Sequence, residues 1–442
     1  MKIAVIGCTH AGTASIINCA KLYPDSKITV YEKNDNISFL SCGIALYVGG
    51  VIEDPKGLFY SSPEELTNLG VVTKMSHEVL DVDIKNKKIN IINLKTNEKF
   101  EDDFDKLIIT TGSWPIIPNI NGIELDNILL SKNFYHSKSM IEKSKDAKNV
   151  VVIGAGYIGV ELVEAFQQNG KNVTLIDAQD RILSKYLDEE YTSKAEEEFI
   201  KHSVNLELGQ VVQSFKGKEG KVSKVITDKG EYDADIVVMC VGFKPNTNLF
   251  KNQIEMLENG AIIVDEYMKT SEKDIYAAGD CCAVIYNPTG THEYIPLATN
   301  AVRMGTLVAR NLLKSTTRYM GTQGTSGIKI YDYNIASTGL TYTNAKERKI
   351  DSDYVIVEDN YRPEFMPTYE KVKLKVVYDK TSHIILGAQI MSKVDLTQSI
   401  NTMSVFIQNK MTMDELAFTD FFFQPHFNKP WNILNSAGLK VK

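Results

Sequence analysis

Two segments of the chain show the same order of apolar and glycine-rich stretches. Residues 2–32 predict the strand Lys2–Ile6, the glycine turn Gly7–Gly12, the helix Thr13–Lys21 and the strand Ile28–Glu32. Residues 149–177 predict the strand Asn149–Ile153, the glycine turn Gly154–Gly159, the helix Val160–Gln168 and the strand Asn172–Asp177. Each first strand is a continuous apolar run, as in strands buried on both faces of a parallel sheet. The repeat predicts two βαβ units and two nucleotide-binding domains.

Each half of this pattern closes in a similar way. Residues 105–112 and 235–242 are apolar strands that run into a glycine, and prolines after them end the element. Polar, β-rich stretches separate the opening units from these closing strands. Within residues 79–92, the pair Asn86-Lys87 predicts a hairpin turn.

The last part of the chain has a different pattern. A third strand-to-glycine segment, Asp274–Asp280, precedes a helix predicted from about Asn300 to Lys314. Residues 326–442 contain no glycine fingerprint and alternate strands with helices. The predicted elements are the strands Ser326–Tyr331, Lys371–Tyr378 and Ile384–Met391 and the helices Val394–Gln408 and Met413–Ala417. This pattern predicts a separate α+β domain.

Charge and composition narrow the range of partners. The formal net charge is −7, and no dense run of Lys or Arg offers an electrostatic footprint for nucleic acid. No apolar run approaches the roughly 20 residues that span a bilayer. The segment Met1–Gly7 leads directly into the first strand pattern and does not resemble a signal peptide. We therefore expect a cytoplasmic protein that binds neither nucleic acid nor membrane.

The second glycine turn fits the G-x-G-x-x-G pattern. Gly154 permits the tight turn, Gly156 lets a pyrophosphate approach the backbone, and Gly159 lets helix and strand pack closely. The helix N-terminus offers free N–H groups to phosphate. Asp177 follows Gly159 by 18 positions, where a carboxylate binds ribose hydroxyls and repels a 2′-phosphate. The pattern favours NADH over NADPH; the alternative is a glycine turn needed only for packing.

The first glycine turn departs from this pattern at one position. Gly7-Cys8-Thr9-His10-Ala11-Gly12 has Thr9 where the middle glycine is expected. The acidic residue is nevertheless in place, because Glu32 follows Gly12 by 20 positions. Either the backbone approaches phosphate less closely at Thr9, or the Thr9 hydroxyl contacts phosphate itself.

Two residues near the first turn are candidates for redox chemistry. Cys42 precedes a short apolar stretch that could start a helix, and a helix N-terminus favours a thiolate. A thiolate can reduce a peroxide and become a sulfenic acid. His10 in the first turn is a candidate proton donor or acceptor beside this thiol. The alternatives are a buried structural cysteine and a loop histidine bonded to backbone.

Two further positions have both a functional and a structural interpretation. Tyr157 lies inside the second fingerprint, between the two nucleotides or simply packed in a helix. Asp280 ends a buried strand and either faces a ligand or caps the next turn. The other cysteines form no C-x-x-C motif and no zinc-like set with histidine, so we expect reduced thiols and no metal. They are Cys8, Cys19, Cys240, Cys281 and Cys282.

Together these features resemble the flavin-dependent pyridine nucleotide–disulfide oxidoreductases over essentially the whole chain. Besides the two glycine turns, the matching motifs are Thr110-Thr111-Gly112-Ser113, Gly242-Phe243-Lys244-Pro245-Asn246 and Ile275-Tyr276-Ala277-Ala278-Gly279-Asp280-Cys281. The resemblance implies an α/β fold with two Rossmann-like dinucleotide-binding domains and a C-terminal α+β dimerisation domain. The implied limits are 1–118 and 246–325 for a split FAD domain, 119–245 for the NADH domain and 326–442 for the dimerisation domain.

Within this family the chain resembles the branch with a single redox cysteine. Tyr47 occupies the second cysteine position of the C-x-x-x-x-C motif of glutathione-reductase-like members. Ser41-Cys42-Gly43 is similar to the NADH oxidases, the NADH peroxidases and the coenzyme A-disulfide reductases. The segments Gly7–Thr13, Tyr361–Pro367 and Phe423–Asn432 resemble the water-forming NADH oxidases in particular.

The resemblance implies a role for each matching residue. Cys42 would be the redox cysteine and His10 the active-site base. FAD would contact Gly7, Thr9, Ala11, Gly12, Glu32, Val79, Thr110, Thr111, Gly112, Ser113, Lys132, Asp280, Leu297, Ala298 and Thr299. NADH would contact Gly154, Gly156, Tyr157, Ile158, Gly159, Asp177, Tyr186 and Gly242, and the ring of Tyr157 would screen the flavin until NADH enters. In a homodimer, the segment Phe423–His426 would reach the flavin of the partner subunit.

The implied reaction is 2 NADH + O₂ + 2 H⁺ → 2 NAD⁺ + 2 H₂O. Electrons from NADH would pass through FAD to O₂, and Cys42 would reduce the resulting peroxide and become a sulfenic acid that a second NADH restores. Coenzyme A-disulfide reductase and NADH peroxidase share the fold and Cys42, so the acceptor stays open. A non-enzymatic NADH or redox sensor would bind both nucleotides without turnover, and the pairing of Cys42 with His10 argues against it.

Overall fold

Residues 1–441 are described by a computed structural model, and residues 1–115 form its first unit. The strands are β1 Lys2–Ile6, β2 Lys27–Glu32, β3 Val72–Met75, β4 His77–Asp83, β5 Lys88–Asn93, β6 Lys99–Asp103, β7 Lys106–Ile109 and β8 Ser113–Pro115, and the helices are α1 His10–Leu22, α2 Ile44–Val48 and α3 Pro63–Asn68. Strands β7, β1, β2 and β3 lie side by side and parallel. Strands β4 and β5 form the hairpin predicted at Asn86-Lys87.

The second unit repeats the first in its architecture. Its strands are β9 Ile128–Leu130, β10 Asn149–Ile153, β11 Asn172–Asp177, β12 Asn205–Leu208, β13 Val212–Lys218, β14 Lys221–Thr227, β15 Glu231–Asp233, β16 Ile236–Met239 and β17 Phe243–Pro245, and its helices are α4 Phe134–Ser144, α5 Tyr157–Gln168 and α6 Glu189–Lys201. The parallel sheet has the order β12-β11-β10-β16-β9. The predicted limits of β10 and β11 are confirmed.

The chain then returns to the first unit. The returning elements are β18 Ile262–Ile263, β19 Ile275–Ala277, β20 Cys282–Tyr286, β21 Thr291–Glu293 and α7 Ala298–Asn311. Strand β19 lies beside β7 as the fifth parallel strand of the first sheet. Strand β17 pairs with β8, so the two crossing segments of chain run side by side. This path agrees with a first domain split in sequence, whose exact limits remain predictions.

The C-terminal region is built on an antiparallel sheet. Its elements are β22 Ser326–Ile330, β23 Tyr333–Gly339, β24 Ser352–Asn360, β25 Lys371–Asp379, β26 Ile385–Ser392, α8 Tyr342–Glu347, α9 Ser399–Gln408, α10 Met413–Phe418 and α11 Ile433–Gly438. The sheet order is β22-β23-β26-β25-β24. The α+β class is confirmed, but the sequence did not predict β23 and β24. Of the residues described, none belongs to a helix long and apolar enough to cross a membrane.

The predicted helices begin one turn too late at both glycine turns. Helix α1 begins at His10 instead of Thr13, and α5 begins at Tyr157 instead of Val160. The last residues of each glycine turn already form the first helical turn, whereas the apolar periodicity starts only afterwards. The candidate residues His10 and Tyr157 are therefore the first residues of two equivalent helices.

A buried polar cluster joins the second unit to the C-terminal sheet. Asp188, just before α6, accepts hydrogen bonds from the N–H groups of Tyr342 at 2.9 Å and Thr343 at 3.0 Å. It also accepts one from the side-chain amide of Gln389 at 2.8 Å. The Nζ of Lys375 lies 3.0 Å from Asp188 Oδ2, and each of these two side chains is only 3% exposed. Lys375 also pairs with Glu190 at 3.0 Å, whereas removing Lys375 would leave the buried Asp188 carboxylate without its cation.

Candidate functional site

One large cavity lies where the first unit, the second unit and the C-terminal region meet. Its volume is about 1710 Å³, larger than the roughly 300–1,000 Å³ of a typical small-molecule site. Both glycine turns line it, and so do the ends of the strands that precede them. The cavity can therefore accommodate more than one nucleotide.

The structure brings nearly all of the predicted site residues to this cavity. Those that line it are Gly7, Thr9, His10, Ala11, Glu32, Cys42, Val79, Thr110, Thr111, Gly112, Ser113, Lys132, Gly154, Gly156, Tyr157, Ile158, Asp177, Tyr186, Gly242, Asp280, Leu297 and Ala298. Gly12, Gly159 and Thr299 do not line it. Thr299 is exposed in the first turn of α7, next to Ala298, which does reach the cavity.

Gly12 and Gly159 allow close packing inside the protein. A Cβ atom on Gly12 would lie 2.1 Å from the carbonyl oxygen of Gly7, and one on Gly159 would lie 1.8 Å from that of Gly154. Gly156 differs, since a Cβ there would meet nothing nearer than the ring of Tyr186 at 4.0 Å. Its missing side chain leaves space in the cavity and is not required by the surrounding protein.

The two predicted acids hold the two glycine turns in the same way. Glu32 Oε2 accepts a hydrogen bond from the Cys8 N–H at 2.7 Å, and Asp177 Oδ2 accepts one from the Ala155 N–H at 2.5 Å. Burial raises the pKa of Glu32, and the hydrogen bonds that its carboxylate accepts oppose this shift. Each carboxylate oxygen has a further lone pair with which it can accept a hydroxyl.

The N-termini of α1 and α5 are open to the cavity. Neither helix has a side-chain cap, whereas Asn133 caps α4 by accepting the N–H of His136. The first N–H groups of a helix have no partner within it, and they attract anions. An uncapped helix after a glycine turn is the arrangement that binds a pyrophosphate.

Three predicted FAD-contacting residues meet in one hydrogen-bonded group. Lys132 Nζ donates to Ser113 Oγ at 2.9 Å and lies 3.3 Å from Asp280 Oδ2. Ser113 Oγ donates to the same carboxylate oxygen at 2.9 Å. Asp280 therefore faces the cavity together with a cation, and it does not act as a helix cap.

Cys42 lies in a 3₁₀ turn, Ser41–Gly43, ahead of the five-residue helix α2. Among the cysteines it is the one with an exposed side chain, and that side chain lines the cavity. Burial by the surrounding cavity wall, followed by the charges of Glu161 and Asp280, raises the pKa of the Cys42 thiol. The direction of this pKa shift is opposite to the expectation that a helix N-terminus favours the thiolate, because burial is the largest effect on the thiol and α2 has only five residues.

His10 is held by a side chain and not by the backbone. Its Nδ1 lies 2.9 Å from the hydroxyl oxygen of Tyr60. Its Nε2 is buried and has no hydrogen-bond partner among the residues described. Burial lowers the pKa of His10, with Asp280 opposing this effect, so the imidazole is neutral near pH 7.

Tyr157 contacts another ring of the second unit and the C-terminal region. Its ring lies 4.4 Å from that of Tyr186, centroid to centroid, and its hydroxyl is 2.8 Å from Ser326 Oγ. Burial raises the pKa of Tyr157, so the phenol keeps its proton. The ring lines the cavity, and its screening role stays a prediction.

Several cavity residues were not predicted. Glu161 lies one helical turn after Tyr157, so the helical period could have found it. Tyr294 and Gln323 each carry a buried polar atom without a partner. Neither belongs to a motif, and only the folded chain brings them to the site.

Comparisons with known proteins agree with this geometry. Residues 1–305 match the pyridine nucleotide-disulphide oxidoreductase family, and residues 325–433 match the dimerisation domain of that family. The chain belongs to the pyridine nucleotide-disulphide oxidoreductases. The predicted family and fold class are confirmed, and the dimerisation domain supports the predicted homodimer.

Relatives within the pyridine nucleotide-disulphide oxidoreductases include NADH oxidases. The chain is 56% identical to the NADH oxidase of Enterococcus faecalis over 436 residues, which is 98% of each chain. The structure of the water-forming NADH oxidase from Lactobacillus brevis bound to NADH is 51% identical, with a TM-score of 0.98, and the match covers 99% of this chain and 97% of that one. The NAD(P)H coenzyme A polysulfide/persulfide reductase of Pyrococcus horikoshii is 32% identical, over 98% of this chain and 96% of its own.

Proposed function

We propose that this protein is an FAD-dependent NADH oxidase that reduces O₂ to water. The observation that supports this most is the single cavity, which holds two dinucleotide turns, an accessible thiol at Cys42 and the imidazole of His10. The 56% identity to an NADH oxidase points the same way. The proposed domains are 1–118 with 246–325 for FAD, 119–245 for NADH and 326–442 for dimerisation.

The first unit suits FAD. Among the described residues, the cavity is lined by buried hydroxyls that have no hydrogen-bond partner, including those of Thr111, Ser131 and Tyr294. A bound dinucleotide would satisfy such atoms, which otherwise cost free energy. Glu32 would hold the ribose, and the open end of α1 the pyrophosphate. Lys132 would add positive charge beside Asp280.

The second unit suits NADH. Asp177 offers a carboxylate to the ribose hydroxyls, and it would repel a 2′-phosphate. Gly156 would leave room for the pyrophosphate, and the rings of Tyr157 and Tyr186, whose centroids are 4.4 Å apart, would contact the nicotinamide. When bound, FAD would accept hydride from NADH and pass electrons to O₂.

Cys42 and His10 complete the reduction. The Cys42 thiolate attacks the hydrogen peroxide formed when O₂ accepts the first two electrons and two protons. The O–O bond breaks, the sulfur becomes a sulfenic acid, and the leaving hydroxide takes a proton from solvent and departs as water. A second NADH supplies the two electrons that restore the thiolate and release the second water. Nε2 of His10 has no hydrogen-bond partner among the described residues, and His10 lines the same cavity as Cys42, so we expect Nε2 to hydrogen-bond the oxygen species at Cys42.

The C-terminal region contributes an aromatic surface to the proposed dimer. Phe418, Phe422, Phe427 and Trp431 are all more than half exposed. Exposed apolar surface of this kind marks an interface. We propose that the neighbouring segment Phe423–His426 reaches the flavin of the partner subunit. The cytoplasmic location expected from the sequence stays a prediction.

The test is the stoichiometry of the purified yellow protein. We expect about two NADH per O₂ and no free peroxide, as the balanced four-electron reduction requires. Turnover is then measured with O₂, with added hydrogen peroxide and with coenzyme A disulfide as the sole acceptor. Faster turnover with hydrogen peroxide or coenzyme A disulfide than with O₂ would identify that compound as the acceptor. Negligible turnover with all three would favour a non-enzymatic sensor.

A further inference from the structure

Tyr60 contacts the ring of His10 from a position that does not line the cavity. Its hydroxyl oxygen is 2.9 Å from Nδ1 of His10, and the two rings are within 5° of parallel, with centroids 5.7 Å apart. His10 lines the cavity and Tyr60 does not. Nδ1 of the imidazole is therefore hydrogen-bonded to a residue that does not line the cavity. Nε2 has no partner among the described residues and is available to a ligand in the cavity.

The loop that carries Tyr60 is bonded to the segment that carries Cys42. The Leu40 N–H donates to the Leu58 carbonyl at 2.8 Å, and the Ser61 N–H donates to Ser38 Oγ at 2.9 Å. The Ser38 hydroxyl in turn donates to the Ser61 carbonyl at 2.6 Å. These bonds lie on both sides of Tyr60 in the loop. They hold the backbone around Tyr60 to the backbone just before Cys42.

The chemistry of the two groups sets the direction of the hydrogen bond. Burial raises the pKa of Tyr60 to about 12, so the phenol keeps its proton at neutral pH. A phenol is a stronger hydrogen-bond donor than a neutral imidazole N–H, and a bare imidazole nitrogen is a stronger acceptor than a phenol oxygen. The Tyr60 hydroxyl therefore donates to Nδ1, and the proton of the neutral ring resides on Nε2.

We propose that Tyr60 is a positioning residue that fixes the imidazole tautomer of His10, so that Nε2–H is a hydrogen-bond donor inside the cavity that Cys42 also lines. The inference rests on the proposed function and adds a third member to its pair of residues. Orientation of a reacting group by a third side chain is a general arrangement at active sites. The resemblance to the family implied a base at His10, whereas the proposed tautomer makes its Nε2 a donor. Here the third group turns the ring into a neutral donor for the oxygen atom bound at Cys42.

The direct test is ¹⁵N NMR of the flavin-loaded protein labelled at histidine, without NADH. The His10→Gln variant identifies the His10 signals. We expect a protonated Nε2 and a bare Nδ1 in the native chain, and a mixture of both tautomers in Tyr60→Phe. A protonated Nδ1 in the native chain, or an unchanged tautomer in Tyr60→Phe, would overturn the proposal. Because no turnover is involved, the result is independent of the electron acceptor.

A kinetic test separates positioning from a general structural effect. Tyr60→Phe should lower kcat with O₂ about 5- to 10-fold, as loss of a group that orients a catalytic residue does, and should change KM for NADH less than about twofold. Tyr23→Phe is the matched control, because the Tyr23 hydroxyl makes a 2.7 Å bond to the Ala309 carbonyl at the other end of α1. Equal losses in both variants would show a structural effect and contradict the assignment.

Discussion

The two glycine turns share every position that the protein itself needs. Gly7 and Gly154 both have φ near +100°, at +93° and +107°, and a Cβ on either would lie within 2.4 Å of a backbone oxygen. Gly12 and Gly159 both lie against the carbonyl of the first glycine. These positions are alike because the strand, turn and helix pack in the same way in both units.

The turns differ at the positions that face the cavity. Thr9 of the first turn corresponds to Gly156 of the second, and His10 corresponds to Tyr157, both of which begin helices. The first unit thus brings an imidazole to the cavity that Cys42 lines, whereas the second brings an aromatic ring that contacts Tyr186 and Ser326. The comparison indicates that packing fixes the strand, turn and helix that the two units share. The turn residues that face the cavity differ, and we infer that they determine the chemistry of each unit.

The largest expected effect is on the free energy of unfolding and concerns the ion pair that joins the second unit to the C-terminal sheet. Lys375→Met would leave the Asp188 carboxylate buried without its cation, and we expect a loss of about 3–5 kcal/mol of unfolding free energy. Lys373→Met is the control: on the same strand, Lys373 makes an exposed ion pair with Glu358 worth less than about 1 kcal/mol. Denaturant unfolding measures both variants. Equal midpoints would show that the buried pair does not fasten the second unit.

The next effect concerns the acids of the two units. Replacing Asp177→Ala together with Ala178→Arg removes the charge that repels a 2′-phosphate and adds a cation at the cavity wall. The ratio of kcat/KM for NADH over NADPH should fall by about two orders of magnitude, equal to roughly 2.8 kcal/mol. In contrast, Glu32→Ala should reduce flavin content per chain and leave that ratio unchanged. A shift of the ratio in Glu32→Ala would mean that the two units are assigned the wrong way round.

A smaller effect separates a glycine needed by the ligand from one needed by the fold. Gly156→Ala should weaken NADH binding about tenfold, since the added methyl group occupies the pyrophosphate approach. Its melting temperature should hardly change, because the site around Gly156 is open. Gly154→Ala should instead lower the melting temperature, because its Cβ would lie 2.3 Å from the Cys240 oxygen. Anaerobic NADH titration measures the affinity, and thermal unfolding measures the melting temperature. Equal changes of both quantities in Gly156→Ala and Gly154→Ala would contradict the separate roles of the two glycines.

The smallest effect concerns the carboxyl that α5 brings to Cys42. Burial and Glu164 raise the pKa of Glu161 to about 7, so its stabilising contribution is complete below about pH 4.5 and is lost as the pH rises through 7. Glu161→Gln should remove that part of the pH dependence of the melting temperature. It should also speed alkylation of Cys42 by iodoacetamide about two- to threefold at pH 8, since a negative charge no longer opposes the thiolate. Alkylation at the native rate would exclude Glu161 as a neighbour that tunes the thiol.

The sequence predicted those parts of the fold that follow from local patterns. The continuous apolar runs of β1 and β10 mark strands buried on both faces, and both limits are correct. Strands β23 and β24 were missed because they mix polar and apolar residues without a clear alternation. Their pairing is decided by neighbours distant in the chain.

The candidate site shows the same division. His10 and the two acids could be found because they lie within or at fixed distances from the glycine turns. Cys42 could be found because it precedes a short apolar stretch and belongs to the motif Ser41-Cys42-Gly43. Tyr60 could not, since it belongs to a loop without a motif, and bonds from Ser38 and Leu40, some 20 residues earlier, bring it to His10. The sequence also missed the charges around the Cys42 thiol, because Glu161 and Asp280 approach it only in the folded chain.

The central claim is that Cys42, in the first unit, completes the reduction that NADH begins in the second. The most direct measurement is the peroxide released per O₂ consumed by Cys42→Ser beside the native protein. We expect almost no peroxide from the native protein and about one per O₂ from Cys42→Ser, with NADH consumed per O₂ falling from about two to about one. A variant that still forms water without releasing peroxide would contradict the role of Cys42.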